Sequence, residues 1–456
     1  MKINSNKILK LILLIIILIG IVIFFFKKTE NKTLYPSGFS DGNNIQVFEN
    51  NLDNNGIPII IDSYTNKTTY HPSRICRYEL YLTAKYFYEK SETNYLKIKN
   101  IANWIIKNKI NKKKFITWEL HENNDSFNVY TPWTSALTNA WCAGALLQAS
   151  SILQNHSMEK DAKLALNYLF IPVEDGGGLS RWDDGDIWFE EVPSIKNPSH
   201  ILNGFIYSID ILDMFCNYYD NEQYNKYYKL AISSLKNKVH LYDLDYGSIY
   251  DQFTKGNKLG MSYHKIHYRQ LYWMYLRTKD EYFYNLSQKW FALQVQSKYK
   301  IQSNDKKNLN INFLNNSIYW TDYSLLKTPF EIFINFDTET LIKTINIYSV
   351  NEIFQTNIFD FYYLDNENYK IIDSNMIDIK QKGYNLTLNN KTTYVYVVYF
   401  KSPIKSSSIQ IKTNHLLSQK NISLREIGVN KDSIKEFENE MSKLSHMNML
   451  SKIYEE

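Results

Sequence analysis

IWFEEVPSIKNPSHILNGFIYSIDILDMF, residues 187–215, decides how the chain is read. Its second half, ILNGFIYSIDILDMF, is apolar at nearly every position, which predicts a helix buried on all sides rather than a surface helix with one apolar stripe. Its first half reads as a loop that sets two adjacent carboxylates, Glu190 and Glu191, between aromatic residues and a proline. Paired charge directly before a buried helix is either a solvated loop end or the floor of a pocket. Both readings stand on this stretch alone.

The same pattern runs outward in both directions. RYELYLTAKYFYEKS, YLKIKNIANWIIKNKI, TSALTNAWCAGALLQASSILQ, KDAKLALNYLF, YNKYYKLAISSLKNKV, YHKIHYRQLYWMYLRT and EYFYNLSQKWFALQVQ carry apolar residues at helical spacing. Between them lie polar and aromatic loops such as WELHENNDSFNVYTPW and LYDLDYGSIYDQFTKG. Helix pairs joined by such loops predict an α/α toroid over 68–300, a ring of hairpins whose loops at one end line a groove. Residues 29–67 read as a linker with one short strand candidate, IPIIID. From 305 to 430 the period changes to two in FEIFINFD, IKTINIYSV, FDFYYLD, YVYVVYF, SSIQIKTN and ISLREIGV, which predicts a β-sandwich. Residues 431–456 read as an amphipathic helix. With 456 residues the chain exceeds one hydrophobic core, so the fold class is multidomain α + β.

Residues 8–26 are apolar apart from Lys10 and one glycine. Nineteen residues at about 1.5 Å each reach roughly 28 Å, a hydrocarbon core's thickness. FFFKK follows directly, without a small-residue cleavage site, so residues 1–28 predict a cytoplasmic stub and an uncleaved transmembrane anchor. Lys2, Lys7, Lys10 and the amino terminus outweigh Lys27 and Lys28, which puts the N-terminus in the cytoplasm and the bulk of the chain outside. The formal charge of +5 permits an acidic polymer as partner, and no Lys/Arg block of nucleic-acid-binding density appears. A chain with 37 Tyr, 24 Phe and 9 Trp suits sugar rings, whose apolar faces stack on aromatic ones. Cys76, Cys142 and Cys216 form neither a metal spacing nor an even framework, so all three are expected as small buried hydrophobes.

IWFEEVPSIKNPSHILNGFIYSIDILDMF, followed by LYDLDYGSIYD and then SYHKIHYRQLYWM, resembles the C-terminal catalytic region of D-glucuronyl C5-epimerases. PWTSALTNAWCAGALLQAS and YHPSRICRYELYLTAKYF look like that family's upstream helices, so the resemblance covers about 68–295. It implies inversion of uronate units in a heparosan-like polysaccharide, with no organic cofactor and with a homodimer as a common state of relatives. Removing a proton beside a carboxylate and returning one to the other face needs an acid/base group on each face, plus donors that neutralise the carboxylate. The resemblance puts Glu191 on one face and Tyr263 on the other, with Tyr250 in the groove and Asn203 tying the Glu191 loop to the helix start or reaching a sugar hydroxyl; beside them, His264 and His267 are expected to assist Tyr263 or bind the polymer, and Glu190 to be structural or to hold substrate.

Two departures stand out. The family usually has a tyrosine directly after the second glutamate, where this chain has Val192, and vertebrate members carry their β-rich region ahead of the helical one. The sandwich that follows here looks like a discoidin-type module, a fold often used to bind glycans. EDGGG and RWDDGD offer oxygens to Ca²⁺ but lack EF-hand spacing, so turns come first and Ca²⁺ second. Two rival functions remain: a polysaccharide lyase, which starts with the same proton abstraction, and a non-catalytic glycan-binding surface protein.

Overall fold

The computed structural model describes residues 48–49, 51–61, 68–244, 247–254, 263–294, 299–304, 324–349, 359–382, 394–413, 421–431 and 437–442 except 440. The expected anchor and most of the expected C-terminal helix lie outside them. Among the described residues no helix is long and apolar enough to cross a membrane.

Eight described helices form four hairpins: α1 (Pro72–Tyr88) with α2 (Glu92–Lys107), α3 (Ala136–Ile152) with α4 (His156–Asn167), α5 (Leu202–Tyr218) with α6 (Glu222–Lys238), and α7 (His264–Thr278) with α8 (Glu281–Gln294). The first members, α1, α3, α5 and α7, also pack against one another in succession and make an inner row. Composition sorts the rows. Nearly all of α3 and α5 is buried, as expected where a helix is apolar all round, whereas α2 buries one stripe of Asn94, Ile98, Ile101, Ala102 and Ile105. Ser91, Ser135 and Asn221 cap α2, α3 and α6. By contrast α1, α5 and α7 start at His71, Ile201 and Tyr263 without a side-chain cap.

Cys76 on α1 and Cys142 on α3 form a disulfide with Cα atoms 4.9 Å apart, which corrects the expectation of three unpaired core thiols. Only Cys216 is free. The partners are 66 residues apart and meet because α1 packs on α3, a fact that spacing along the chain does not carry.

The β-rich part is one antiparallel network bent into two layers. Its strands are β3 (Tyr299–Ser303), β4 (Ser324–Lys327), β5 (Glu331–Ser349), β6 (Phe359–Asp365), β7 (Asn368–Ile371), β8 (Ile377–Lys382), β9 (Tyr394–Thr413) and β10 (Asn421–Lys431), numbered after the hairpin strands β1 (Leu179–Arg181) and β2 (Ile187–Phe189) of the helical part. The first half of β5 pairs with β3 and with the second half of β9, which continues to β6 and β7. The second half of β5 pairs with β10 and with the first half of β9, which continues to β8. Register shifts between Tyr399 and Ile404 and between Ser406 and Ser408 turn β9 from one layer into the other. Ile332, Ile334, Ile345, Ile347, Val398, Ile409 and Ile411 fill the space between the layers. Tyr348 and Val397 alternate out of it and join the helical core instead, and Phe437 packs on Tyr272, Tyr284 and Phe291.

Candidate active site

The β1–β2 hairpin aims both glutamates. Its ladder continues through the Glu190 amide, which donates to the Gly178 carbonyl at 2.8 Å, and the Glu190 carbonyl accepts from the Ala136 amide at the start of α3 at 3.0 Å. The Glu190 side chain is fully buried. Its Oε1 accepts from Ser180 Oγ at 2.5 Å and lies 2.8 Å from His200 Nδ1, while Oε2 accepts from Ser199 Oγ at 2.7 Å and the His200 amide at 3.0 Å. Burial pushes this carboxyl up, but His200, Ser180 and Ser199 together outweigh it and hold it below the ordinary value. His200 adopts a left-handed φ of 45°, stabilised by stacking on Trp182 at 3.9 Å and by the Tyr242 hydroxyl on its carbonyl. Glu190, expected to be structural or to hold substrate, turns its carboxylate onto the 190–200 loop and closes it.

Glu191 meets a different environment. Tyr250 donates its hydroxyl to Oε1 at 3.2 Å, and Oε2 is buried with no hydrogen-bond partner among the described residues. The carboxylate rests against the first turn of α5: a Cβ on Gly204 would lie 2.2 Å from Oε2 and 2.8 Å from the Glu191 Cβ. Only glycine fits there, and the uncapped helix start puts positive potential beside the acid. Burial pushes Glu191 up to about 7, against the Tyr250 hydrogen bond and with the neighbouring Glu190 charge. The Tyr250 and Tyr263 rings lie 4.5 Å apart, and burial followed by the Glu191 charge raises both phenols. Val192, 2% exposed, packs with Phe127, Ile201 and Tyr250, so this position forms part of the wall around the Tyr250 ring.

The remaining expected residues support the site from within. Asn203 is buried, its carbonyl accepts from Gln270 Nε2 at 3.0 Å, and its Oδ1 has no partner among the described residues. His264 and His267, expected to assist Tyr263 or bind the polymer, are both fully buried. They share Ser248 Oγ through their Nδ1 atoms at 2.8 and 2.7 Å, and His264 Nε2 faces the Trp290 carbonyl at 2.7 Å. Burial pushes His264 down to about 4 and His267 down as well, so both rings are neutral. A carbonyl only accepts, so His264 carries its proton on Nε2 and takes the Ser248 hydroxyl proton on Nδ1. His267 must then donate from Nδ1, and the chain fixes both tautomers. Of the carboxylates offered for Ca²⁺, Asp184 and Asp186 both pair with Lys238.

Two cavities adjoin this cluster, and neither is lined by Glu191, Tyr250 or Tyr263 themselves. One of about 520 Å³ is walled by Phe127, Trp133, Gly177 and the Pro193–Asn197 segment just after Glu191. Phe127 ties it to Tyr250 and Tyr263 through shared packing. The other, of about 490 Å³, holds His71, Arg74, Arg77 and Trp141, and Trp141 packs edge-on at 5.3 Å against Tyr207. Gly204, Ser248 and the Glu190 donors were not singled out from the sequence. Of these only Gly204 leaves a trace there, as a glycine in the first turn of an otherwise apolar helix.

The family model described as D-glucuronyl C5-epimerase C-terminus matches residues 111–292. An uncharacterised protein of Methanocaldococcus jannaschii is 31% identical over 179 residues, 39% of this chain and 57% of that protein. The D-glucuronyl C5-epimerase of Caenorhabditis elegans is 28% identical over 209 residues, 42% of this chain and 34% of that protein. The chain thus spans about half the length of the first relative and a third of the second. Solved structures similar to part of the chain include family 32 carbohydrate-binding modules. The C. perfringens NanJ module is 12% identical with a TM-score of 0.21 over 29% of this chain and 92% of its own, and the Streptococcus pneumoniae EndoD module is 12% identical with a TM-score of 0.22 over 30% and 99%. Likeness at that level fixes neither ligand nor activity. Residues 111–292 are thus similar to the C-terminal region of D-glucuronyl C5-epimerases, and the likeness is confined to that part of the chain.

Proposed function

We propose that the helical part is an isomerase, a uronosyl C5-epimerase that converts D-glucuronate to L-iduronate units in an acidic, heparosan-like polysaccharide. One observation carries this reading: a carboxyl poised near neutrality, Glu191, is joined to a phenol, Tyr250, that packs on a second phenol, Tyr263. In the forward step the Glu191 carboxylate takes the C5 proton, and the electron pair left on C5 spreads into the sugar's own carboxylate. Tyr263 then delivers its hydroxyl proton to the opposite face of C5. Its raised pKa keeps the phenol protonated at neutral pH, so it holds a proton to give and is no base until ionised, and abstraction by Glu191 is the easier direction. Turnover leaves Glu191 protonated and Tyr263 ionised. Tyr250, bonded to one and packed on the other, passes the proton back and resets the pair.

The chain is further proposed to work outside a membrane, anchored by residues 8–26. The Cys76–Cys142 disulfide supports that placement, because such bonds persist in oxidising compartments.

The test is incubation of the chain with heparosan in heavy water, read by proton NMR. Deuterium entering C5, with iduronate signals, in wild type but not in Glu191→Gln or Tyr263→Phe is the expected result. Ultraviolet absorbance from an unsaturated uronate would instead mark a lyase. Glycan binding without exchange, unchanged in both variants, would mark a non-catalytic binder.

A further inference from the structure

The four inner helices each bring one side chain to the same place. Arg77 on α1 lies over the Trp141 ring of α3 at 5.5 Å, and Trp141 packs edge-on at 5.3 Å against Tyr207 of α5. The fourth member is Tyr263, the residue from which α7 starts. Burial, the Glu191 charge and Tyr207 raise its phenol, and Arg77 pulls the other way, so Arg77 stands within electrostatic reach of the hydroxyl. Trp141 and Tyr207 are buried, whereas Arg77 is half-buried and borders the cavity of about 490 Å³.

The charges around Arg77 are engaged elsewhere. On its own helix Arg74 has other partners and lies over Phe48, and Glu79 is fully buried, which pushes its carboxyl well above the ordinary value and favours the neutral acid. Glu49 is exposed and acts on Tyr78, Glu122 is held by His71 at 2.8 Å, and Glu191 accepts from Tyr250. Among the described residues the Arg77 guanidinium rests on the Trp141 ring and has no hydrogen-bond or ion-pair partner. A planar cation held by a ring keeps its edge N–H groups for a carboxylate in fork geometry. Proton removal from C5 adds a second negative charge to a uronate that already carries one, so the transition state needs a cation more than the ground state does. Glu191 and Tyr263 move protons and supply no such charge.

Resting on the epimerase reading, we propose that Arg77 is a further catalytic residue, whose guanidinium takes the carboxylate of the reacting uronate and holds the charge that spreads there from C5. The C5 proton passes to Glu191, and the electron pair moves into the C5–C6 bond and on to the carboxylate oxygens beside Arg77. As the pair returns to C5, Tyr263 gives its hydroxyl proton to the opposite face.

The test is C5 deuterium exchange by the full chain on two probes, heparosan and heparosan with its carboxylates converted to methyl esters. An ester carries no charge to neutralise and has the more acidic C5–H, so a cation at this place matters little to it. Arg77→Gln is expected to slow exchange of the free acid about a hundredfold, mainly in kcat, and to leave exchange of the ester little changed. Arg77→Lys keeps the charge without the fork, should recover part of the loss on the acid, and carries the same comparison if Arg77→Gln fails to fold. Equal slowing on acid and ester marks a structural role and overturns the proposal while the epimerase reading stands. Undiminished exchange of the acid in folded Arg77→Gln does the same. A wild type that exchanges neither probe overturns the epimerase reading and the proposal with it.

Discussion

Glu190 turns its carboxylate into a shell of two serine hydroxyls, a backbone amide and the His200 ring, whereas Glu191, one residue on, meets among the described residues a single phenol on one oxygen and no partner on the other. The two acids are neighbours on one loop, Glu190 fully buried and Glu191 part-buried, and their donors differ most. A complete donor shell holds the charge permanently and makes Glu190 a tie in the fold. An incomplete one leaves Glu191 able to gain and lose a proton near neutral pH.

The comparison breaks most readily at the chemistry. Glu191→Gln should lower C5 exchange by about a thousandfold, within the usual range for loss of a general base, and leave the fold intact. Glu190→Gln should do the reverse: it leaves donors facing an amide, costs about 3 kcal/mol in a denaturant titration and lowers activity only through lost structure.

pH separates the two acids by sign. Glu191 has a folded pKa of about 7 against an ordinary 4.5, so its contribution to stability is present at acid pH and lost as pH rises across that interval, by at most about 3 kcal/mol. Glu190 is shifted the other way, so its contribution is present above the ordinary value and lost as pH falls below it. Thermal melting across pH should therefore show a maximum on the acid side of neutrality. Glu191→Gln should remove the loss toward neutral pH, Glu190→Gln the loss toward acid, and kcat/KM of wild type should rise through about pH 7.

Gly204→Ala gives the smallest effect and the sharpest sign. In an ordinary helix interior alanine stabilises by up to about 1 kcal/mol. Here its Cβ collides with Glu191, so a loss of about 1–2 kcal/mol and about tenfold in exchange is expected, measured by melting and NMR. A stabilised, fully active Gly204→Ala would show that the carboxylate does not need its seat on α5.

Much of the helical scaffold was legible because apolar spacing survives in the sequence: all eight described helices fall on the stretches that the period marks out. The sandwich was legible in kind but not in connection. FEIFINFD and IKTINIYSV read as two strands, as do YVYVVYF and SSIQIKTN, yet each pair is one long bent strand. Exposed polar residues such as Asp337 and Lys401 at the bends interrupt the alternation without ending the ladder. At the site, Glu190 and Glu191 have the same local sequence signal, and what distinguishes them comes from Ser180, Ser199, His200, Gly204 and Tyr250, up to 59 residues away. The two histidines looked available because nothing near them in sequence reveals Ser248 or the Trp290 carbonyl.

The disulfide ends where the basic cavity begins. Cys76 lies between Arg74 and Arg77 on α1, and Cys142 directly follows Trp141 on α3, so a single covalent bond joins the helix that bears the cations to the helix that bears the ring. Apolar packing keeps α1 on α3 without it; the bond fixes their spacing beside the cavity. Chains folded in a reducing compartment would then share the fold of oxidised chains but hold α1 on α3 less rigidly, a difference that thermal melting before and after thiol reduction would read.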